Sequence, residues 1–115
     1  VVLIVHLALS RRGRMSQLDY ISDLVNDYRH VVLMGDMNCR SDSDEIEVLV
    51  NKTLMSEPLH GMYTFPSWRP RHNIDHILVT PTVEVARAEV LDYPLSDHLP
   101  LAMEVVLPES VVLHT

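Results

Sequence analysis

The chain has 115 residues, 47% of them hydrophobic and 22% charged, and a formal net charge of −7; that length suits one small domain with its own core. The acidic balance argues against a nonspecific nucleic-acid or membrane-surface binder. The single cysteine, Cys39, excludes an internal disulfide and fits a reducing, cytoplasmic compartment, and no apolar run approaches the ~20 residues that cross a bilayer.

Residues 1–10, VVLIVHLALS, are β-branched and apolar almost throughout, which predicts a strand buried on both faces. The stretch has no basic leader, no small-residue cleavage site and no initiating Met. It therefore reads as a strand entered partway, in a piece of a longer protein, and not as a signal peptide. RRGR at 11–14 reads as a turn. From 15 to 28, Leu18, Ile21, Val25 and Tyr28 recur at helical spacing with Ser22, Asp23, Asn26 and Asp27 opposite, predicting an amphipathic helix. HVVLMGD at 30–36 is a second strand. SDSDEIEVLV opens with capping residues and acids, so a short helix is expected from about residue 42.

Residues 51–73 hold Gly61 and three prolines and read as a long loop, a feature that is often functional. NIDHILV at 73–79 is a third strand, VEVARAEVL at 83–91 a fourth, DYPLSDHLP a Pro-bounded turn, and LAMEVVL at 101–107 a fifth strand. Residues 109–115 form a short tail. The order β-α-β-α-loop-β-β-β predicts an α/β (α+β) fold with a mixed sheet and helices on at least one face.

The polar residues fall where strands end. His6 lies in the first strand, Asp36 and Asn38 just after the second, Asp75 in the third, and Asp97 and His98 just before the fifth. Layered α/β proteins collect ligands at such ends. Asp36 and Asn38, two apart, point to one side if the backbone is extended, and a carboxylate beside a neutral amide suits a divalent ion or a phosphate oxygen. Taken singly, GDMN reads as a turn, SDH as a cap and His6 as a core histidine. Asp75 is different: a carboxylate heading an apolar strand needs a specific partner. His76 points to the opposite face and reads as structural. Cys39 has no base beside it and is not expected to be a nucleophile.

Taken together, VHLALS with His6, GDMN with Asp36 and Asn38, NIDHIL with Asp75, and SDHLPL with Asp97 and His98 resemble the endonuclease/exonuclease/phosphatase superfamily of DNase I-like phosphodiesterases, in the family's order. Arg14, Gln17 and Leu18, and TFPSW at 64–68, share the likeness. The resemblance implies half of a four-layer DNase I-like α/β sandwich, the C-terminal half, over residues 1–108. It implies that Asp75 accepts a hydrogen bond from His98, fixing its tautomer and raising its basicity. His98 then contacts the scissile phosphate or helps activate water. Asp97 ligates Mg²⁺ or Mn²⁺, Asp36 and Asn38 orient water, phosphoryl oxygens and metal, and His6 contacts phosphate. The base and acid lie among Asp36, His98 and His6. Arg40, Arg69 and Arg71 are candidates for gripping a further phosphate, and Trp68 for stacking on a base or resting on a membrane surface.

The family's N-terminal half, with an Asn and the main metal-binding Glu, has no counterpart here. Half a sandwich leaves a sheet face uncovered, and VVLIV and VVLM are too apolar to face water. The expected partners are therefore a phosphoester substrate (nucleic acid, nucleotide or lipid headgroup) and either the missing half or a second copy, with a homodimer favoured. Two functions compete: a Mg²⁺-dependent phosphoesterase, weakly active or inactive as this chain alone, and a non-catalytic module that assembles through its sheet face.

Overall fold

A computed structural model of the chain describes residues 1–108, so the predicted tail lies outside the described residues. Seven elements follow one another: β1 (Val2–His6), α1 (Arg11–Asn26), β2 (Val32–Asp36), α2 (Asp44–Thr53), β3 (Asp75–Val79), β4 (Glu84–Val90) and β5 (Leu101–Val106). β1 pairs parallel with β2, and β2 pairs antiparallel with β3. β4 and β5 form a separate antiparallel pair. The mixed α/β class stands, but the five strands make two sheets, not one. The α1 crossover between β1 and β2 is what a parallel neighbour requires.

The RRGR segment is not a turn. It is the first turn of α1, which starts four residues earlier than its apolar spacing predicts. Ser10 caps the helix, its hydroxyl accepting the Gly13 N–H at 3.1 Å. Gly13 is required for packing: a Cβ there would lie 2.8 Å from the Ala8 Cβ and 2.9 Å from Ser10 Oγ. Ser43 caps α2 in the same way, accepting from Ile46 N–H at 3.3 Å, with Asp44, Glu45 and Glu47 on the positive end of the helix dipole.

The helices bury Leu18, Ile21 and Val25 of α1 and Ile46 and Leu49 of α2 in one core with Leu33 of β2 and Leu78 of β3. Each such side chain contributes about 1.5–3 kcal/mol of burial. Only one face of the three-stranded sheet is served this way. In register, Leu3, Leu33 and Leu78 form a row, and alternation sends Ile4, Met34 and Ile77 to the other face. There Ile77 is covered by the segment entering β5, whereas Ile4 is 79% and Val2 59% exposed. The expectation of a first strand buried on both faces is thus corrected: β1 is an edge strand with one face open. Among the described residues no helix is long and apolar enough to cross a membrane.

Candidate active site

The strand register places the first three site residues. His6, Asp36 and Asp75 are directly opposed across β1, β2 and β3, one row at the end of the open face. The strands approach closely just before that row. Gly35 has φ +141°, and a Cβ there would meet the Val5 carbonyl oxygen at 1.9 Å, so no other residue fits. His98, on the β4–β5 connection, completes the group. Its Nδ1 lies 2.6 Å from Asp75 Oδ2, and its Nε2 3.7 Å from Asp36 Oδ2. His6 Nε2 stands at the same 3.7 Å from that Asp36 oxygen, on a side chain 77% exposed. Ligand atoms of Asp36, Asp75 and His98 all lie within 4.8 Å of one another, close enough that the group could hold a metal ion.

Asn38 reaches the site by a different route from the one its spacing predicts. The backbone after Asp36 is not extended: Asn38 is left-handed (φ 51°), and its N–H donates to Asp36 Oδ1 at 3.0 Å. This Asx-type turn suits Asp and Asn in particular. Asn38 Nδ2 donates to the Leu7 carbonyl at 2.7 Å, which leaves the amide Oδ1 without a protein donor among the described residues. The Leu7 region is itself pinned, since Ala8 N–H donates to Gln17 Oε1 (2.8 Å) and Arg14 bridges Leu9 O (2.5 Å) to Glu45 (3.1 Å). Arg14 and Gln17 therefore fix the β1 exit that orients Asn38.

The His98 imidazole is held above its ordinary pKa. Burial of the ring opposes its charge, but the Asp75 hydrogen bond and the negative charges of Asp75, Asp36 and Asp97 outweigh it. Asp97 acts on His98 through that charge. Its carboxylate is exposed, lies outside the three-residue cluster, and takes no hydrogen bond or ion pair among the described residues. Arg40 is engaged with Asp42 at 3.2 Å. Arg69 and Arg71 are exposed in the 54–74 loop, as is Trp68, at 75%.

Sequence spacing did not reveal the residues behind the pair. Thr64, fully buried, donates its hydroxyl to Asp75 Oδ2 at 2.5 Å, and the Phe65 ring packs on His98 with centroids 4.7 Å apart. The sequence signal is TFPSW at 64–68, whose likeness to the family gives Thr64 no role. A second polar group, also unforeseen, surrounds His76 on the closed face. His76 Nε2–H donates to the Cys39 carbonyl at 2.6 Å, and Nδ1 lies 3.1 Å from both oxygens of buried Glu57, of which only Oε1 has hydrogen-bond geometry. Acceptors at both nitrogens favour the charged form of His76. Burial works against that charge, yet Glu57, the Cys39 carbonyl and Asp75 raise the pKa. Burial likewise raises the Cys39 thiol, in keeping with an inert cysteine.

The arrangement has a chemical reading. A carboxylate fixes one imidazole nitrogen, the other nitrogen faces a second carboxylate across a gap, and amide and carboxylate oxygens line the rim. Such a group can move a proton and orient an anion.

Comparison with known proteins bears on the fold and the family. No curated protein matches the chain. The fold is similar to that of a mannosyl-6-phosphatase of Bacteroides thetaiotaomicron (TM-score 0.80, 20% identity, 92% of this chain and 51% of that one). It is also similar to an endonuclease/exonuclease/phosphatase from Bacteroides vulgatus (0.74, 26%, 86% and 46%) and to the human Nocturnin catalytic domain with bound sulfate (0.70, 20%, 90% and 45%). The chain thus spans about half the length of these solved structures. A family model described as Endonuclease/Exonuclease/phosphatase family matches residues 5–98, from the strand that carries His6 to His98 itself. The chain belongs to the endonuclease/exonuclease/phosphatase family.

Proposed function

We propose that the protein is a phosphoesterase that hydrolyses its substrate with an activated water. The observation that carries this reading is the chain of contacts Asp75–His98–Asp36, at 2.6 and 3.7 Å, at the end of an open sheet face. In that chain Asp75 holds the His98 Nδ1–H, so Nε2 is the atom that gives or takes a proton beside the phosphate. Asp36 is the neighbouring carboxylate that favours the charged imidazole, and His6, exposed on the same row, would contact a phosphoryl oxygen.

The oxygen donors fit a hard divalent ion, Mg²⁺ or Mn²⁺. Asp36 Oδ2 accepts no hydrogen bond, Asn38 keeps Oδ1 uncommitted, and the Asp97 carboxylate is unpaired among the described residues. Three donors fall short of the roughly six such an ion takes, so water, substrate and residues outside this chain would supply the rest. When bound, the ion supplies neutralisation of phosphate charge. Asp75 is not assigned to it, because its Oδ2 is occupied by His98 and Thr64.

Phosphomonoesters are the favoured substrate class, in line with the mannosyl-6-phosphatase among the structural neighbours. The test is release of p-nitrophenol by the full-length protein from p-nitrophenyl phosphate and from its bis ester, with Mg²⁺ titrated from zero. Monoester hydrolysis that vanishes in EDTA, and an Asp97→Asn variant that needs more Mg²⁺ for half-maximal rate, are expected. Undiminished hydrolysis in EDTA would contradict the metal assignment, and no hydrolysis of either ester the phosphoesterase.

The exposed Ile4 and Val2 favour a further reading of the same face, as the seat of the rest of the domain. The match to only half of each solved relative supports that occupant. Sedimentation of this chain alone as a dimer would put a second copy there instead, in line with the assembly module. An ANS-negative monomer would contradict an interface.

A further inference from the structure

Two adjacent residues of the 54–74 loop grip both members of the Asp75–His98 pair. Resting on the site reading above, we propose that Thr64 is a positioning residue that fixes the working orientation of His98 through Asp75.

The lone pairs of one oxygen carry the argument. Asp75 Oδ2 accepts from Thr64 Oγ1 at 2.5 Å and from His98 Nδ1 at 2.6 Å. A carboxylate oxygen offers about two such directions, so this one is filled, and neither donor can swing without breaking a charge-assisted bond. Thr64 is itself immobile. It is fully buried, its N–H donates to the His72 carbonyl at 3.0 Å, and its carbonyl accepts the Leu99 N–H at 2.8 Å. The last bond ties the hydroxyl's backbone to the residue that follows His98. A β-branched side chain on that backbone has little χ1 freedom.

The Phe65 ring then closes one side of the imidazole, 4.7 Å between centroids and tilted by 41°. The Ser96 hydroxyl accepts the His98 N–H at 3.2 Å, fixing the backbone beneath the ring. Ser67 carries the same loop onward to Ser96 O (2.6 Å) and Asp97 O (2.7 Å). Loop 54–74 thus dictates where both Asp97 and His98 stand.

Without the Thr64 hydroxyl, Asp75 is free to rotate its carboxylate, and His98 loses the single orientation that points Nε2 toward Asp36. Thr64 touches no solvent, so it meets no substrate, and its loss acts on turnover alone.

The experiment compares Thr64→Val, which replaces the hydroxyl by a methyl of similar shape, with Thr64→Ser, which keeps the hydroxyl, in the full-length protein. Thr64→Val is expected to lower kcat by about tenfold or more, the usual loss when a supporting partner is removed, with KM unchanged, and Thr64→Ser to restore most of it. Imidazole ¹⁵N shifts should show one Nδ1–H form of His98 in the wild type and the serine variant, and a mixture in the valine variant. Wild-type kcat and a single form in Thr64→Val would overturn the proposal. Should His98→Ala prove fully active, the site reading itself fails; should His98→Ala be inactive while Thr64→Val equals wild type, only the positioning role fails. If Thr64→Val does not fold, the wild-type Thr64 hydroxyl proton decides. Slow exchange with solvent supports the bond, and rapid exchange overturns it.

Discussion

Two histidine–carboxylate pairs flank β3, and they differ in what their second nitrogen meets. His76 pairs with Glu57, side chains 0% and 5% exposed, and its other nitrogen is spent on the Cys39 carbonyl. His98 pairs with Asp75, side chains 27% and 16% exposed, and its other nitrogen looks across 3.7 Å to Asp36. Both rings are pushed toward the charged form by their acids against the cost of burial. A histidine with both nitrogens consumed is a tether; one with a nitrogen left over at an accessible gap is a tool. The sheet sorts them, because Asp75 and His76 are consecutive and therefore face opposite sides.

The largest effect expected from breaking this contrast is Asp75→Asn. It keeps the shape but removes the charge that holds His98, and steady-state hydrolysis should fall by about 10²-fold or more, the scale of a displaced general acid or base. Next is Glu57→Gln, which removes the anion from a buried charge and should cost about 3–5 kcal/mol in urea unfolding, while kcat per folded molecule holds.

The His76 tether also predicts a pH dependence. A raised histidine pKa means that the folded state binds the proton more tightly than the unfolded one. The His76 contribution is therefore complete below the ordinary imidazole value of about 6.5 and is lost as pH rises through the higher folded value. Unfolding free energy should decline with pH across that window in the wild type and decline less in Glu57→Gln. Equal slopes would show that His76 is not the titrating group. The smallest expected effect is His6→Ala, roughly a tenfold loss of turnover or less, the size of one ionic hydrogen bond at an exposed position.

Much of this was legible in the sequence, for physical reasons that differ by residue. Asp75 announced itself because a carboxylate in an apolar strand needs a partner, and His98 is that partner at 2.6 Å. His76 was placed correctly on the opposite face by the period of two. The cap and acids before Ile46 marked α2 to within two residues. Other features were hidden by what residues do in isolation. RRGR reads as a turn because glycine breaks helices, whereas Gly13 is there because Ala8 and Ser10 leave no space for a Cβ. The apolar β1 reads as buried on both faces because hydropathy does not say which partner covers a strand. Asn38 shares a side with Asp36 by spacing only if the backbone is extended, and its left-handed turn depends instead on a hydrogen bond to Asp36 that spacing does not encode. Thr64 and Glu57 lie in a loop without periodicity, so nothing local marked them as buried.

The most direct test sets the two histidines side by side: phosphoester turnover and urea unfolding of His98→Ala and His76→Ala in the full-length protein. His98→Ala should lose about 10²–10⁴-fold in turnover with a smaller loss of stability than His76→Ala, which should unfold far more easily while its folded fraction still turns over. Full turnover by His98→Ala would contradict the account.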